Sequence, residues 1–566
     1  MPADAADRLL SALEESRNRF GPKEGARVVK LLDRVRSKRF ADPRSLIRFH
    51  EALLFLRAFP QSPAVIRKTE SVLRTFWRRV EHLRQTGADM EEFDAFEDSG
   101  IAGTRMSDTL SFDVMRWLVT RVPGRVAADW ENYEEERAMG STWPRFMPLL
   151  DEDGFVEANI PWLRWLQTAQ GSKNASPEWL VRRFEDLPVS DREKAELYDS
   201  LRVPVYWELG NLPLTRTRNW ERPARPFCHD EPLLTRGQVS LREELSRRPP
   251  KLTPLSRRRG EAIMEKIREV MLVRYRELYG TTLGDPASVV RADVGRGVEM
   301  YFWNLPPSRR LPLRAYVAGF SLKNGVPINY VEAIGLCEWM EVGFNTFYTF
   351  RGGEVAWIYA QALRCLCSLM GTTCVSVYPY QIGQNNDEAL ESGAFWFYRK
   401  LGFRPGRADL LRLTEQEEKR IAARAGYKTS IRTLRRLAEG HMFYELPGSE
   451  VGAWDRFSTR YVGLRVNQRM AEKFRGDASR IREASAASVA RALGVRVASW
   501  TSRERESFEN LALVLALVPD LRSWTKEEKE AVVRVIRTKS KPNEMIYLRL
   551  MQRHRRLRKA FLKLGS

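Results

Sequence analysis

The sequence from residue 343 to residue 403 decides the fold, because strand and helix signals alternate there around one glycine turn. An apolar strand ends over 341–348 (EVGFNTFY), and the glycine turn follows at 351–356 (RGGEVA), at the start of an amphipathic helix. A β-branched run lies at 372–378 (TTCVSVY), and a second helix ends in YRKLGF at 398–403. A glycine turn between a strand and a helix N-terminus is a phosphate-binding geometry, since free backbone N–H groups and the helix dipole both favour an anion.

Length and composition indicate a multidomain protein without membrane segments or disulfides. The chain has 566 residues, which predicts roughly three or four domains, and its 43% hydrophobic and 30% charged residues are ordinary for a globular protein. No apolar run reaches the length of a membrane span, and the N-terminal MPAD lacks a signal-peptide pattern. The five cysteines are an odd number, so we expect reduced thiols and a cytoplasmic protein. The five scattered histidines predict no zinc site.

The chain carries a large positive charge. Its formal net charge is +21, from 94 Lys and Arg against 73 Asp and Glu. Such an excess favours a polyanionic partner, although an arginine-rich bacterial genome produces the same composition. The last predicted helix is densely basic, at Arg553, Arg555, Arg556, Arg558 and Lys559. This face is a candidate nucleic-acid contact, and a solvated helix face is the alternative.

Changes of pattern divide the chain into four segments. Residues 1–95 are helical in periodicity and predict a helical scaffold, in which His50 lies on an apolar stripe as a buried, hydrogen-bonded side chain. Residues 96–255 predict a mixed region of helices and loops that ends in a proline-rich boundary. Residues 256–445 change to strand patterns, and residues 446–566 return to helices with a basic end. Helix starts are marked by caps at Asp42, Ser62, Ser176, Ser190, Thr501 and Thr525.

The central segment alternates its elements in a definite order. Strand-like runs occupy 298–304, 313–322, 326–334 and 340–350, and Asn324-Gly325 between the second and the third is a hairpin signal. A long amphipathic helix precedes these strands, and the glycine-turn helix, a strand, a second helix and a strand start follow them. The expected fold class is therefore α+β, with a mixed sheet domain embedded between N-terminal and C-terminal all-helical regions.

This order of elements resembles the GNAT superfamily of N-acetyltransferases over about residues 256–445. The turn at 351–356 is similar to the superfamily's Gln/Arg-x-x-Gly-x-Gly/Ala pyrophosphate loop. The stretch 394–405 (AFWFYRKLGFRP) is similar to its last helix and turn, where alanine, tyrosine and a Gly-Phe step recur. The flanking helical regions resemble no family with a known function.

The resemblance implies a cofactor and a set of site residues. It implies acetyl-CoA or another acyl-CoA as acyl donor and an amine as acceptor; if the helical flanks select a large acceptor, that amine belongs to a protein or is associated with RNA. The implied coenzyme-binding residues are Phe344, Thr346, Arg351, Gly352, Gly353, Glu354, Val355 and Ala356. Tyr398 matches the tyrosine that protonates the leaving thiolate, and its alternative role is aromatic packing. Glu338 and Glu341 are the candidate general bases, and each is equally interpretable as a salt-bridged strand residue.

Two residues depart from the superfamily pattern. Glu354 stands where a glycine normally faces the pyrophosphate, and a carboxylate there is expected to repel phosphate. Glu391 stands where an asparagine is frequent on the last helix. Three hypotheses follow: an acyl-CoA-dependent N-acyltransferase, which we favour; a non-catalytic GNAT-like scaffold; and a nucleic-acid-binding protein that uses its basic C-terminal helix.

Overall fold

The computed structural model describes residues 5–21, 23–146, 162–171 and 177–566. The chain forms two compact units, one of residues 1–232 with 265–282, the other of 233–264 with 283–566. None of the described helices is long and apolar enough to cross a membrane. The helix start predicted at Ser176 lies outside the described residues.

The first unit is mainly helical, as the sequence predicts for its N-terminal part. Its helices include α1 (Ala5–Ser16), α2 (Glu24–Val35), α3 (Pro43–Ala58), α4 (Pro63–Leu73), α5 (Trp77–Gln85), α6 (Phe112–Arg121), α7 (Glu136–Thr142), α8 (Trp162–Gln170), α9 (Pro177–Glu185) and α10 (Asp191–Leu201). Strands β1 (Arg105–Thr109), β2 (Val126–Ala128) and β3 (Pro204–Glu208) form a small antiparallel sheet in the order β1-β3-β2. The predicted caps at Asp42, Ser62 and Ser190 each accept a hydrogen bond from the first turn of their helix.

His50 of α3 is a buried structural residue, as predicted. Its Nε2 lies 2.9 Å from the hydroxyl of Thr217, its Nδ1 lies 3.0 Å from Glu51 Oε1, and no part of it is exposed. The ring also packs edge-on against Phe76. Burial lowers the pKa of His50 to about 4, and the neighbouring Glu51 carboxylate opposes part of this shift. The imidazole of the folded protein is therefore neutral near pH 7.

We predict that His50 destabilises the first unit in mild acid. Its folded pKa lies below the ordinary value of the unfolded chain, so unfolding takes up a proton and stability falls as the pH drops from 6.5 towards about 4. A shift of this size is worth about 3 kcal/mol of unfolding free energy. Urea unfolding at about pH 7 and about pH 4.5 measures the loss. His50→Gln should lose less stability than the wild type between the two pH values, and an equal loss would contradict the prediction.

In the part of the chain that the structure describes, the second unit is built on a nine-stranded sheet in the order β11-β12-β10-β9-β8-β7-β6-β5-β4. Its strands are β4 (Thr253–Pro254), β5 (Val290–Gly295), β6 (Val298–Asn304), β7 (Ala315–Lys323), β8 (Val326–Leu336), β9 (Trp339–Thr346), β10 (Cys374–Val377), β11 (Arg404–Pro405) and β12 (Met442–Glu445). Strands β9 and β10 are parallel, whereas the other neighbours pair antiparallel. The predicted hairpin at Asn324-Gly325 is present, with φ of 50° and 75° at its two residues.

The helices after residue 240 belong mainly to the second unit. They include α11 (Leu241–Ser246), α12 (Arg257–Leu272), whose residues 257–264 are assigned to the second unit and 265–272 to the first, α13 (Tyr279–Thr282) of the first unit, α14 (Val355–Met370), α15 (Asp387–Glu391), α16 (Ala394–Lys400), α17 (Ala408–Ala423) and α18 (Ile431–Leu437). The C-terminal helices include α19 (Thr459–Phe474), α20 (Ala478–Leu493), α21 (Ser502–Leu515), α22 (Lys526–Lys539), α23 (Glu544–Arg553) and α24 (Arg555–Gly565). The predicted α+β class, a large mixed sheet accompanied by helical regions, is confirmed.

The C-terminal helices are part of the second unit and pack on its sheet. Gln552 of α23 donates hydrogen bonds to the backbone carbonyls of Cys337 and Met370, each at 2.9 Å. A Cβ atom added at Gly335 of β8 would meet the side chains of Met370 and Leu548 at 2.7 and 3.1 Å. The bare backbone of Gly335 therefore lets α14 and α23 approach the centre of the sheet.

Candidate functional site

A cleft opens where the parallel strands β9 and β10 separate. The register pairs Cys374 with Trp339 and ends at Ser376 with Glu341, whereas β9 continues to Thr346. Beyond that last pair, the edge of β9 facing β10 has no ladder partner among the described residues. Backbone N–H and C=O groups on an open edge need partners, and an extended chain that lies beside the strand supplies them.

The cleft has a volume of about 280 Å³. Its lining combines the open end of β9, the turn after it, the loop after β10 and helices α15 and α16: Phe344, Asn345, Thr346, Arg351, Val355, Gln381, Asn386, Glu388, Ala389, Ser392, Ala394, Phe397 and Tyr398. The structure thus brings together five of the residues predicted from the sequence, namely Phe344, Thr346, Arg351, Val355 and Tyr398. Gly352 and Gly353 lie in the turn between two lining residues, and Ala356 is buried inside α14.

The turn before α14 presents free backbone N–H groups beside the cleft. Gly353 N–H donates to Phe350 O at 2.9 Å, which closes the turn, and the first helical bond runs from Ile358 N–H to Glu354 O at 2.9 Å. The N–H groups in the first turn of a helix have no intrahelical acceptor, and they carry the positive end of its dipole. A Cβ atom added at Gly352 would meet nothing within 4 Å, so its backbone is open to a ligand. This arrangement suits a phosphate or pyrophosphate group.

Glu354 does not face this site, contrary to the expectation that its carboxylate opposes phosphate. Its side chain is fully buried and ion-paired with Arg296 and with Lys323, at 3.2 Å from Arg296 Nε and 3.6 Å from Lys323 Nζ. It also accepts the backbone N–H of Leu234 at 3.2 Å. Burial lowers the pKa of Lys323 to about 7, while the Glu354 carboxylate acts in the opposite direction. The negative charge of Glu354 is thus compensated inside the unit.

We predict that Glu354→Gln destabilises the second unit by about 3 kcal/mol, because it leaves the buried Lys323 and the partly buried Arg296 without their carboxylate. Glu388→Gln is the matched control, since Glu388 also pairs with an arginine but is about half exposed, at 46%. Removal of an exposed pair of this kind costs about 1 kcal/mol or less. Thermal and urea unfolding of both variants measure the difference. Equal stability of the two variants would show that the Glu354 pairs do not hold the turn.

Arg351 stands at the mouth of the cleft. Its guanidinium is ion-paired with Glu388 of α15, and its Nε lies 3.5 Å from the carbonyl oxygen of Thr346. The same group stacks on Tyr348, at 5.3 Å from the ring centroid. The Arg351 side chain is 36% exposed, so its guanidinium is able to contact a phosphate bound in the turn. Such a phosphate would compete with Glu388 for the guanidinium.

Tyr398 of α16 lines the inner part of the cleft. Its ring packs edge-on against Tyr359 and Phe403, at centroid distances of 5.7 and 5.6 Å. Burial raises the pKa of Tyr398, so its hydroxyl keeps its proton at neutral pH and is able to donate it. Packing and proton donation are therefore compatible roles for this one residue. Beneath it, the hydroxyl of Tyr359 is buried without a hydrogen-bond partner among the described residues.

The two predicted general bases lie in different places. Glu338 precedes β9, at the end away from the cleft, and accepts hydrogen bonds from Trp454 Nε1 at 2.7 Å and from Arg558 Nε at 2.6 Å. It is a structural ion-pair residue there. Glu341 lies on β9 at the point where the strands separate, with Oε2 3.0 Å from His441 Nε2. Arg314 approaches its other oxygen at 3.6 Å.

Glu341 belongs to a polar row that leads into the cleft. Alternate residues of β9 share a face, so Glu341, Gly343 and Asn345 lie in line on one side of the sheet. Glu332 of β8 is the cross-strand partner of Gly343, and its carboxylate accepts a hydrogen bond from Tyr316. A Cβ atom at Gly343 would meet only Gln381 within 4 Å, at 3.6 Å or more, so the missing side chain leaves space between the two carboxylates.

Glu332 is a carboxylate without a cation. No Lys, Arg or His of the described residues lies within ion-pair distance of it, and burial raises its pKa. A half-buried carboxylate of this kind is a favourable neighbour for an ammonium group. Sequence reasoning missed Glu332 and His441, because strand pairing brings each to the site from a distant part of the chain.

The remaining predicted residues have ordinary surface or ion-pair positions. Glu391 is exposed and does not line the cleft, whereas Asn386, which caps α15, does. In the basic C-terminal helix, Arg556 pairs with Asp520 and Glu528, and Arg558 pairs with Glu338 and Glu450. Arg553, Arg555 and Lys559 are exposed. Part of the basic charge predicted to meet nucleic acid therefore serves packing within the unit.

Comparison of the chain with models of protein families, with curated proteins and with solved structures gave no match.

Proposed function

We propose that the second unit is an acyltransferase of the GNAT type, which moves an acyl group from coenzyme A to an amine. The observation that carries the proposal is the separation of β9 from β10 beside the free N-terminus of α14, with Tyr398 inside the resulting cleft. The order of strands around that separation supports it further. The parallel pair β9 and β10 is followed by β12, which lies antiparallel to β10 with β11 at the edge.

The residues present suit an acyl-CoA. The turn of Gly352 and Gly353 and the cation of Arg351 would hold the pyrophosphate, and the open edge of β9 from residue 342 to 346 would take the amide groups of the pantetheine arm. The burial of Glu354 removes the repulsion that the sequence alone suggests. When bound, acyl-CoA supplies an activated acyl group as a thioester.

The reaction then requires a neutral acceptor amine and a group that donates a proton to the leaving thiolate. Glu332 is suited to hold an incoming ammonium in the space above Gly343. Glu341, paired with His441, is suited to receive the proton of the amine on the same face of β9. The Tyr398 hydroxyl would protonate the leaving sulfur. Tyr398 and Asn345 line the cleft, and Glu341 and Glu332 share the face of Asn345 on the sheet, so we propose direct transfer with both substrates bound together.

We predict that substitutions of Arg351 and of Glu388, at the mouth of the cleft, have opposite effects on acetyl-CoA binding. Arg351→Ala should weaken acetyl-CoA binding about tenfold or more, because it removes a charge-assisted contact to phosphate. Glu388→Gln should strengthen binding several-fold, because it frees Arg351 and removes a negative charge. Titration calorimetry measures both, and Arg407→Ala is the control, as Arg407 pairs with Asp409 outside the cleft lining. No heat at millimolar acetyl-CoA in the wild type and in Glu388→Gln would refute the proposed function.

We predict that Tyr398→Phe lowers acetyl transfer by about 10²–10⁴-fold and leaves acetyl-CoA binding nearly unchanged, because only the proton donor is removed. Release of free thiol from acetyl-CoA in the presence of an alkyl diamine or a lysine peptide measures turnover. Tyr444→Phe is the control, because Tyr444 packs on Phe403 outside the lining. Unchanged turnover in Tyr398→Phe would assign that residue to packing alone.

A further inference from the structure

A basic hollow lies in the first unit, far from the cleft in sequence. It is formed by the segment after α2, by Leu46 of α3, by Thr75 between α4 and α5 and by α5, and it has a volume of about 450 Å³. Its lining includes Arg36, Lys38, Arg39, Arg78, Arg79 and His82. We propose that this hollow binds the phosphate of a small phosphorylated organic molecule, independently of the acyltransferase function.

The charge of the hollow is one-sided. Five of its ten lining residues are Lys or Arg, and none is Asp or Glu. The whole chain has 94 basic and 73 acidic residues, so the general excess of positive charge does not explain a lining without acids. Asp33 pairs with Arg36 at 3.4 Å and with Lys68, but it lies outside the lining. The cations of the hollow therefore add their potentials with little compensation, which favours a multivalent anion.

Arg79 makes several contacts that orient its guanidinium in this hollow. Its guanidinium donates to the carbonyl oxygens of Arg36 and Lys38, the latter at 2.8 Å, and it stacks on Phe49 at 5.6 Å from the ring centroid. Two of its N–H groups are used in this way, which leaves about three of the five for a ligand. Burial lowers the pKa of Arg79, and no carboxylate counteracts this shift. The protein thus holds a half-buried arginine in a fixed orientation without a carboxylate partner among the described residues.

The shape of the hollow indicates more than a free ion. Its volume is in the range of sites for small organic ligands. Phe40 and Leu46, which are 9% and 2% exposed, add an apolar floor beside the cations. A phosphate alone would leave this floor unused, whereas a nucleoside phosphate places an aromatic or sugar part on it. We therefore take a nucleoside diphosphate as the probe.

Titration calorimetry of the full chain with ADP and with inorganic pyrophosphate, at about 0.15 M salt, tests the proposal. ADP should bind, and pyrophosphate should bind more weakly. Arg79→Gln should weaken both by about tenfold or more. The triple variant Lys38→Gln, Arg39→Gln, Arg78→Gln should weaken the binding of ADP and of pyrophosphate further. Because this variant keeps the carbonyl contacts of Arg79, it tests the proposal even if Arg79→Gln unfolds.

Two controls separate this hollow from other anion sites. Arg67→Gln removes an exposed cation of α4 outside the lining and should leave ADP binding unchanged. Arg351→Ala alters the cleft of the second unit, and it too should leave ADP binding in the hollow unchanged. Absence of ADP binding, equal affinity in the triple variant, or loss of binding only in Arg351→Ala would overturn the proposal. Binding of RNA oligonucleotides without binding of ADP would also overturn it and would assign the hollow to a nucleic-acid backbone.

Discussion

The buried carboxylate of Glu354 is the constraint on which the second unit depends. It joins Arg296 from the turn between β5 and β6, Lys323 from the end of β7 and the backbone of Leu234 to the N-terminus of α14. Taking these charges out of water is costly unless they are paired and hydrogen-bonded, so the cluster holds only while every member is present. Its consequence is positional, because it ties the start of α14, where Val355 lines the cleft, to strand β7 and to the turn between β5 and β6.

That gap is the second determinant of the site. A parallel pair that stops after a few residues leaves one strand with an open edge, which globular proteins otherwise cover or protect. Here the edge lies in a cleft between helices and turns, next to a cation, a helix N-terminus and a buried tyrosine. On the other face of the same strand, Glu332 and Glu341 flank a glycine. The proposed function uses both faces, the cleft for the anionic donor and the two carboxylates for the amine.

The positive charge of the chain is used in more than one way. Several arginines of the C-terminal region are bound to carboxylates inside the second unit, as Arg556 and Arg558 show. The hollow of the first unit differs, because its lining contains no acid and Arg79 contacts backbone carbonyls and an aromatic ring, although Arg36 pairs with Asp33 outside the lining. The distribution of acids, more than the net charge, therefore distinguishes a candidate binding surface from a structural ion-pair network.

The sequence by itself determined the local features of this protein. Caps at Asp42 and Ser190, the hairpin at Asn324-Gly325 and the turn before α14 all depend on residues within a few positions of each other, so composition and spacing suffice to predict them. The α+β class followed from the same local signals, whereas the choice of Arg351 and Tyr398 as site residues came from the resemblance to a known family. Only the tertiary structure decided where Glu354 points, that Glu338 pairs with a C-terminal arginine, that His441 contacts Glu341 and that Glu332 lies opposite Gly343. Those contacts link residues far apart in the chain, and each depends on strand pairing and burial, which no local pattern encodes.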